Sequence, residues 1–504
     1  MNRILCLLPL LFATGLRADV VLAPLFTDHA VLQQGKPIPI WGTASPGETV
    51  TVLFHGETVS TKPGPDGRWL VRLKPAPATA EPADLVVTGK NQITLHDIVV
   101  GEVWLASGQS NMELRVCDLE KDVFAKERAS ADYPLIRHIK IARASAAEPQ
   151  TTAQGKWEPS SSETVGIFTA AGYFFARDIY QKLKVPVGII NSSYGGSAIE
   201  AWLSPASFSV EPSLNTLKQS WAKTQTGYPG KKAAYDQALA TWTAEQADAK
   251  AKGEAFKKRA PAAPAGPDSV SGPSNLYNGM IHPLLPVGLR GVLWYQGEAN
   301  TRRAAEYHKL FAALITGWRK TLDQGDVPFY WVQLPNCAMG NAQSTQWAFL
   351  REAQDQRLSL PATGEAITID IGNPLNIHPR NKQDVGHRLA LIALAQTYGQ
   401  QVVFSSPRFA KAVPAGTAIK LAFTSAEGLK TRDGSAPLGF EIAGADKKFV
   451  PAQATLADGT ITVSAASVPA PVAVRYAWCN SPETNLYNAA GLPLAPFRTD
   501  DWAP

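Results

Sequence analysis

The chain of 504 residues contains little cysteine, and what there is does not form a recognisable pattern. Only 4 cysteines are present, and Cys6 lies in an N-terminal apolar segment that we expect to be removed. Cys117, Cys337 and Cys479 cannot all pair within one chain, so they exclude a scaffold stapled by disulfides, and their spacing matches no metal site. We expect them to be mostly free thiols.

Charge and long apolar runs are also scarce. Charged residues make up 18% of the sequence, the net charge is +5, and 45% of the residues are hydrophobic. No cluster of Lys or Arg is long enough for a nucleic-acid interface, and no apolar segment is long enough to span a membrane. The composition therefore predicts a globular protein, and the length predicts two or three domains.

The N-terminus has the pattern of a signal peptide. Arg3 precedes an apolar run at residues 4–16, and Ala18 provides a small residue before the expected cleavage point. Leu16, at the third position before that point, is less typical than alanine. We expect residues 1–18 to be removed and the protein to be exported, either to the periplasm or as a secreted protein.

The remaining chain divides into three expected parts. Residues 19–97 contain short apolar runs separated by Gly, Pro and Asp, which is typical of a small β module. Residues 98–403 alternate strand-like and helical patterns, which predicts an α/β domain with a parallel sheet, interrupted by a polar helical insertion at about residues 207–274. Residues 404–504 return to β runs and form a second β module.

The segment at residues 101–113 is the first candidate for chemistry. An apolar strand at residues 98–105 stops at Ser107-Gly108, before polar residues that can open a helix, so Ser110 lies at a strand-to-helix turn. A serine there is exposed at the end of a sheet, and its backbone N–H can stabilise an oxyanion. The alternative is a serine that only caps the helix.

Two further turns offer hydrogen-bond donors. Gly195-Gly196 follows a strand, and glycines let the backbone N–H approach a substrate oxygen closely, although the pair also suits a simple tight turn. Gln296 and Asn300 follow another strand and carry amide donors. Glu298 between them suits holding this loop by hydrogen bonds.

His378 is the candidate general base. It lies in a loop after the strand-like residues 366–371. Imidazole can take a serine proton near neutral pH. A lone loop histidine is usually structural, but this strand end lies at the same expected sheet edge as Ser110.

These four segments together resemble the sialate O-acetylesterase family, a branch of the SGNH (GDSL-like) hydrolases. The matching motifs are Gly-Gln-Ser-Asn-Met at residues 108–112, Gly-Gly-Ser-x-Ile-Glu-Ala-Trp at 195–202, Trp-Tyr-Gln-Gly-Glu-x-Asn at 294–300 and Ile-His-Pro-x-Asn-Lys at 377–382. The likeness covers residues 22–502. It implies a three-layer α/β/α core, flanked by β-sandwich-like modules, that removes O-acetyl groups from sugars, typically sialic acids.

The resemblance also implies a set of site residues. Ser110 becomes the expected nucleophile and His378 its base, acting through an acetyl-serine intermediate without a metal or organic cofactor. The expected oxyanion donors are the N–H groups of Ser110 and of Gly195 or Gly196, with a side-chain amide from Gln296 or Asn300.

One position departs from the family pattern. Family members commonly have Asp two residues before the histidine, whereas this chain has Asn376. Three outcomes follow: a Ser110–His378 dyad oriented by Asn376 or a backbone carbonyl, a substitute acid such as Asp370, or a weakened enzyme. We favour the dyad because the other motifs are intact.

Two alternatives to a sialate esterase remain. The same chemistry can serve acetylated plant polysaccharides such as xylan or pectin, since substrate identity transfers between relatives less safely than mechanism. A catalytically silent carbohydrate-binding protein is also compatible with two β modules and Asn376.

Overall fold

The computed structural model describes residues 19–338 and 340–502. It shows a mixed α/β protein with one large central sheet and several smaller sheets. The expected signal peptide, residues 1–18, lies outside the described residues. Within the described residues, no helix is both long and apolar enough to cross a membrane.

The N-terminal part is built from short strands, as its sequence pattern predicts. Strands β1, β3 and β6 form one antiparallel sheet. Strand β4 pairs with β5 on one side and with β7 on the other, and β7 also pairs with the next strand of the chain. These strands are β1 (Val21–Leu22), β2 (Val31–Gln33), β3 (Ile38–Thr43), β4 (Val50–Phe54), β5 (Glu57–Thr61), β6 (Arg68–Leu73) and β7 (Thr79–Thr88).

One long strand connects this β module to the rest of the protein. Strand β8 (Gln92–Gly108) has 17 residues, and the expected domain boundary at residues 97/98 falls inside it. Its first half pairs with β7, and its second half lies at the centre of the large sheet. The strand that leads to Ser110 is therefore paired with neighbouring strands along nearly its whole length.

The large sheet is mixed, which corrects the expected parallel sheet. In the order β10-β9-β11-β8-β12-β13-β14, all neighbours are parallel except β10 and β9. Strand β10 follows β9 through a loop without a crossover helix, so it returns in the opposite direction. The strands are β9 (Tyr133–Lys140), β10 (Trp157–Ser160), β11 (Val187–Ser193), β12 (Gly291–Tyr295), β13 (Phe329–Val332) and β14 (Thr363–Ala366).

Helices cover both faces of this sheet. Val103 and Leu105 of β8 belong to one buried cluster and the alternating Trp104 and Ala106 to another, as the period of a strand requires. The α-helices are α1 (Ser110–Glu113), α2 (Lys121–Ala129), α3 (Ala170–Leu183), α4 (Pro205–Val210), α5 (Asn215–Thr226), α6 (Tyr228–Ala251), α7 (Ala304–Leu322), α8 (Gln346–Asp355) and α9 (Lys382–Ile392). Helix α7 packs on the first face, and α3 and α9 pack on the second.

The expected helical insertion contains α5 and α6, and neither helix has a buried residue. These two helices therefore add little to the core.

The C-terminal part is a β module whose core includes residues from the preceding region. Ile367 and Ile369, which follow β14, are buried in the same cluster as the strands of this module. Those strands are β15 (Arg408–Ala415), β16 (Ala418–Thr424), β17 (Lys430–Thr431), β18 (Phe440–Ala443), β19 (Val450–Pro451), β20 (Gln453–Ala457), β21 (Thr460–Ser464), β22 (Ala473–Tyr476), β23 (Leu486–Tyr487) and β24 (Phe497–Arg498). The chain that leads to His378 is thus anchored in the C-terminal module.

Candidate active site

The turn that carries Ser110 is fixed by the neighbouring strand β12. Gly108 ends β8 with a φ of +132°, and a Cβ there would overlap the carbonyl of Tyr295. The next residue, Gln109, donates its backbone N–H to that carbonyl at 2.9 Å. Ser110 therefore begins helix α1 at the carboxyl end of the central strand, where ligands of such sheets gather.

His378 lies against this serine. Its Nε2 is 2.7 Å from Oγ of Ser110, although the two residues are 268 positions apart. The pKa of His378 lies below its ordinary value because of partial burial, with smaller contributions from the positive charges of Lys382 and Arg380. The neutral imidazole, which can accept a proton, is therefore favoured near neutral pH.

The two proposed orienters of His378 make other contacts. Oδ1 of Asn376 accepts the backbone N–H of His378 at 2.9 Å. Asp370 is a poor substitute acid, because its buried carboxylate is bonded to Arg388 at 2.6 and 2.8 Å and to the Tyr487 hydroxyl at 3.3 Å. Within residues 19–338 and 340–502, no side chain hydrogen-bonds to Nδ1 of His378.

The Gly195-Gly196 turn also lies beside the serine. A Cβ on Gly195 would be 3.5 Å from the Ser110 Cβ. Its backbone N–H donates to Glu113 Oε2 at 2.8 Å, whereas Gly196 is exposed and has a φ of +74°. The backbone N–H groups of Ser110 and Gly196 have no hydrogen-bond acceptor within the part of the chain that the structure describes.

Gln296 and Asn300 are fully buried and bond to each other. Gln296 Nε2 donates to Asn300 Oδ1 at 2.8 Å and to the Ser197 carbonyl at 3.2 Å, and Asn300 donates to Glu200 at 3.0 Å. This differs from the expected role of oxyanion donor, since both hydrogens of the Gln296 amide are already donated. The pair instead supports the segment that follows the Gly195-Gly196 turn.

Ser110 and His378 line a cleft of about 540 Å³. Four basic side chains and two carboxylates share its wall, so its net charge is +2 when His378 is neutral. The charged lining residues are Glu113, Arg115, Asp118, Lys140, Arg143 and Arg380. In the described part of the chain, no group of three or more His, Cys, Asp or Glu side chains is arranged to hold a metal ion.

Sequence reasoning did not single out the charged residues of this cleft. Glu113 accepts hydrogen bonds from Arg143 at 2.6 and 2.8 Å and from Lys140 at 3.2 Å. These bonds keep the pKa of Glu113 below its ordinary value although burial opposes the shift. Lys140 is the last residue of β9 and Arg143 follows that strand, and nothing local in their sequence indicates a site.

Comparison with known proteins identifies the family. The profile of the carbohydrate esterases described as sialic acid-specific acetylesterases matches residues 100–250 and 266–395, which is more than half of the chain. The chain belongs to this family. Like its relatives, it is a carboxylic ester hydrolase of the kind that deacetylates sugars.

Individual members of the family are similar over nearly the whole chain. The sialate O-acetylesterase of Rattus norvegicus is 28% identical over 94% of this chain and 93% of its own length, and that of Homo sapiens is 28% identical over 91% and 88%. A crystal structure of a carbohydrate acetylesterase from Xanthomonas citri shares 38% identity and a TM-score of 0.81, covering 96% of this chain and all of that one. The similarity therefore extends over nearly the whole length of both chains.

Proposed function

We propose that this protein is an exported serine esterase with an SGNH-type core that removes O-acetyl groups from sialic acids. The observation that carries the proposal is the 2.7 Å contact between Ser110 Oγ and His378 Nε2 in an open cleft. This distance lies within hydrogen-bond reach of a nucleophile and its base.

The reaction proceeds through an acetyl-serine intermediate. His378 Nε2 takes the Ser110 proton as Oγ attacks the acetyl carbonyl, and the resulting imidazolium returns that proton to the sugar oxygen as the ester bond breaks. Water then attacks the acetyl group, again with His378 as base, and acetate leaves with Ser110 restored. The lowered pKa of His378 supports this role, because the ring is neutral near pH 7.

The developing oxyanion needs donors beside Ser110. The backbone N–H groups of Ser110 and Gly196 have no acceptor in the described chain and are therefore available to the oxyanion. The N–H of Gly195 can also contribute if its hydrogen bond to Glu113 breaks. Gln296 and Asn300 then contribute indirectly, by forming hydrogen bonds that hold the segment after the glycine turn in place.

The charge of the cleft favours an acidic sugar. A net charge of +2 around the nucleophile attracts a sialic acid, which carries a carboxylate, more strongly than a neutral xylan fragment. The second candidate is an acetylesterase for plant polysaccharides such as xylan or pectin, because the similar Xanthomonas citri protein is described only as a carbohydrate acetylesterase and substrate identity transfers between relatives less safely than mechanism.

The nucleophile is tested with Ser110→Ala. We expect kcat to fall by at least about 10³-fold with little change in stability, and a fluorophosphonate probe to label the parent protein but not the variant. Ser107→Ala is the matched control, because Ser107 lies near the end of the strand that leads to Ser110 and its buried hydroxyl has no partner in the described chain. Substantial activity in Ser110→Ala would remove this serine from the mechanism.

The substrate is tested by acetate release from O-acetylated sialic acid, acetylated xylan and acetylated pectin fragments. We expect the highest kcat/KM with the sialic acid. A preference for neutral xylan would instead establish the second candidate. Labelling of Ser110 without hydrolysis of any acetylated sugar would point to a carbohydrate-binding relative.

Export is tested by expressing the full chain and sequencing the N-terminus of the mature protein. The signal-peptide pattern predicts that it begins at Asp19 and is found outside the cytoplasm. An intact Met1 in the cytoplasmic fraction would contradict export.

A further inference from the structure

Three buried polar side chains lie directly behind Ser110 and His378 and take no part in the proposed proton transfer. Asn111 and Lys382 are 0% exposed, and Glu298 is 8% exposed. They come from the nucleophile turn, the start of helix α9 and the segment after β12. Burying polar and charged groups is costly unless they are hydrogen-bonded, so their arrangement needs an explanation.

Asn111 is the centre of this group. Its Nδ2 donates to the carbonyl of Ile377 at 2.9 Å and to Oε1 of Glu298 at 2.6 Å. Its Oδ1 accepts from Nζ of Lys382 at 2.7 Å. One amide therefore connects three segments that are far apart in sequence.

The two contacts to the histidine segment lie on either side of His378. Ile377 is the residue before it, and Lys382 follows four positions later at the first turn of α9. Asn111 itself is the residue after Ser110. The amide thus connects the residue after the nucleophile to the chain on both sides of the base, through the Ile377 carbonyl and the Lys382 side chain.

This arrangement matters because the chain has Asn376 where family members commonly have Asp. The His378 ring is bonded to Ser110 at Nε2, but no described side chain bonds to Nδ1, so a carboxylate does not fix the ring. Apart from the bond to Ser110, the orientation of the ring depends on the backbone that carries it. A displacement of about 1 Å between reacting groups can lower a rate by about 10²-fold.

We infer that Asn111 is a positioning residue that sets the Ser110–His378 geometry in place of a third triad member. The inference rests on the proposed serine mechanism. Lys382 serves the same unit by holding the Asn111 oxygen, and its ammonium group also lies 5.0 Å from the centre of the Tyr295 ring. Glu298 holds the other side of the amide.

The first test is Asn111→Asp. A carboxylate keeps the shape and can still accept from Lys382, but it donates neither to the Ile377 carbonyl nor to Glu298. We expect kcat and the rate of fluorophosphonate labelling of Ser110 to fall by about 10- to 100-fold, while KM changes by less than about threefold. A wild-type labelling rate in a folded variant would overturn the inference.

Asn488→Asp is the matched control. Asn488 is also a buried asparagine that donates to two backbone carbonyls, those of Ser405 and Ser425, and accepts one backbone N–H, from Leu492. It lies in the C-terminal module, so its substitution should lower the melting temperature without changing the labelling rate. An equal fall of kcat in both variants at matched folded fraction would mean that Asn111 acts only through stability.

A double-mutant cycle covers the case in which Asn111→Asp does not fold. Lys382→Met removes the donor to the Asn111 oxygen, and Asn111→Ser removes the amide itself. If the two residues position His378 together, their effects on kcat are not additive. We expect the double variant to be no more than about threefold slower than the slower single variant. Multiplicative losses would contradict a common unit.

Ser110→Ala separates this inference from the proposed function. If Ser110→Ala keeps its activity, the serine mechanism itself fails. If Ser110→Ala is inactive and Asn111→Asp behaves like Asn488→Asp, only the positioning role of Asn111 fails.

Discussion

Asn376→Asp tests directly how the base is stabilised. The new carboxylate keeps the acceptor for the backbone N–H of His378 and adds a negative charge two residues before a ring whose charged neighbours, Lys382 and Arg380, are both cationic. A carboxylate within ~4–6 Å of a base shifts its pKa by about 1–3 units. Because His378 is only partly buried, we take the lower end, about 1 unit or about 1.4 kcal/mol of imidazolium stabilisation. This corresponds to about a tenfold higher kcat/KM.

The assay is acetate release from an O-acetylated sugar, with kcat/KM measured from roughly pH 4 to pH 9. The added charge raises the pKa of His378, so the acidic limb should move to higher pH by about 1 unit, while the plateau above it rises. Asn373→Asp is the control. Asn373 lies on the same loop and is exposed, and its Oδ1 accepts the N–H of Leu375 at 2.8 Å, so this variant adds the same charge away from the ring.

Two results would refute this reasoning. An unchanged or lower plateau with an unmoved limb in Asn376→Asp would mean that another carboxylate already serves His378, and the dyad would have to be given up. An equal shift in Asn373→Asp would show that the effect comes from the general charge of the loop.

Three further predictions concern neighbouring charges. Arg380→Gln removes a cation that lowers the pKa of His378, so the acidic limb of kcat/KM should move to higher pH by a few tenths of a unit; movement to lower pH would contradict the assigned cause. Glu113→Gln makes the cleft more positive, so KM for an O-acetylated sialic acid should fall by about two- to fivefold while KM for a neutral acetylated xylan fragment stays constant. Asp370→Asn breaks the buried pair with Arg388 and should lower the free energy of unfolding by about 3 kcal/mol in denaturant titrations, with kcat of the folded enzyme nearly unchanged. A large fall of kcat with the acidic limb displaced would make Asp370 the orienter of the base.

The sequence was most informative where a local pattern determines the geometry. The apolar run that stops at Gly108 predicts the strand-to-helix turn, and the structure places Ser110 at the start of α1. His378 was expected at the same sheet edge, and it lies 2.7 Å from Ser110. Both expectations depend on where a strand ends, which apolar patterning records well.

The remaining features depend on contacts between distant segments. The bond between Asn111 and Lys382 joins residues 271 positions apart, so neither residue by itself indicates a partner. Gln296 has the chemistry of an oxyanion donor, but its burial against Ser197 is visible only in the fold. The antiparallel β10 likewise depends on the path of a loop and not on periodicity.

The shared core of the C-terminal module limits how this enzyme can be divided. Ile367 and Ile369, which are 1% and 0% exposed, precede the histidine loop and pack among the strands of the last hundred residues. A shortened protein ending near residue 403 would place both isoleucines in water and release the segment that carries His378. The smallest active unit therefore extends to the last β strands, and attempts to transplant the hydrolase as a separate cassette should include them.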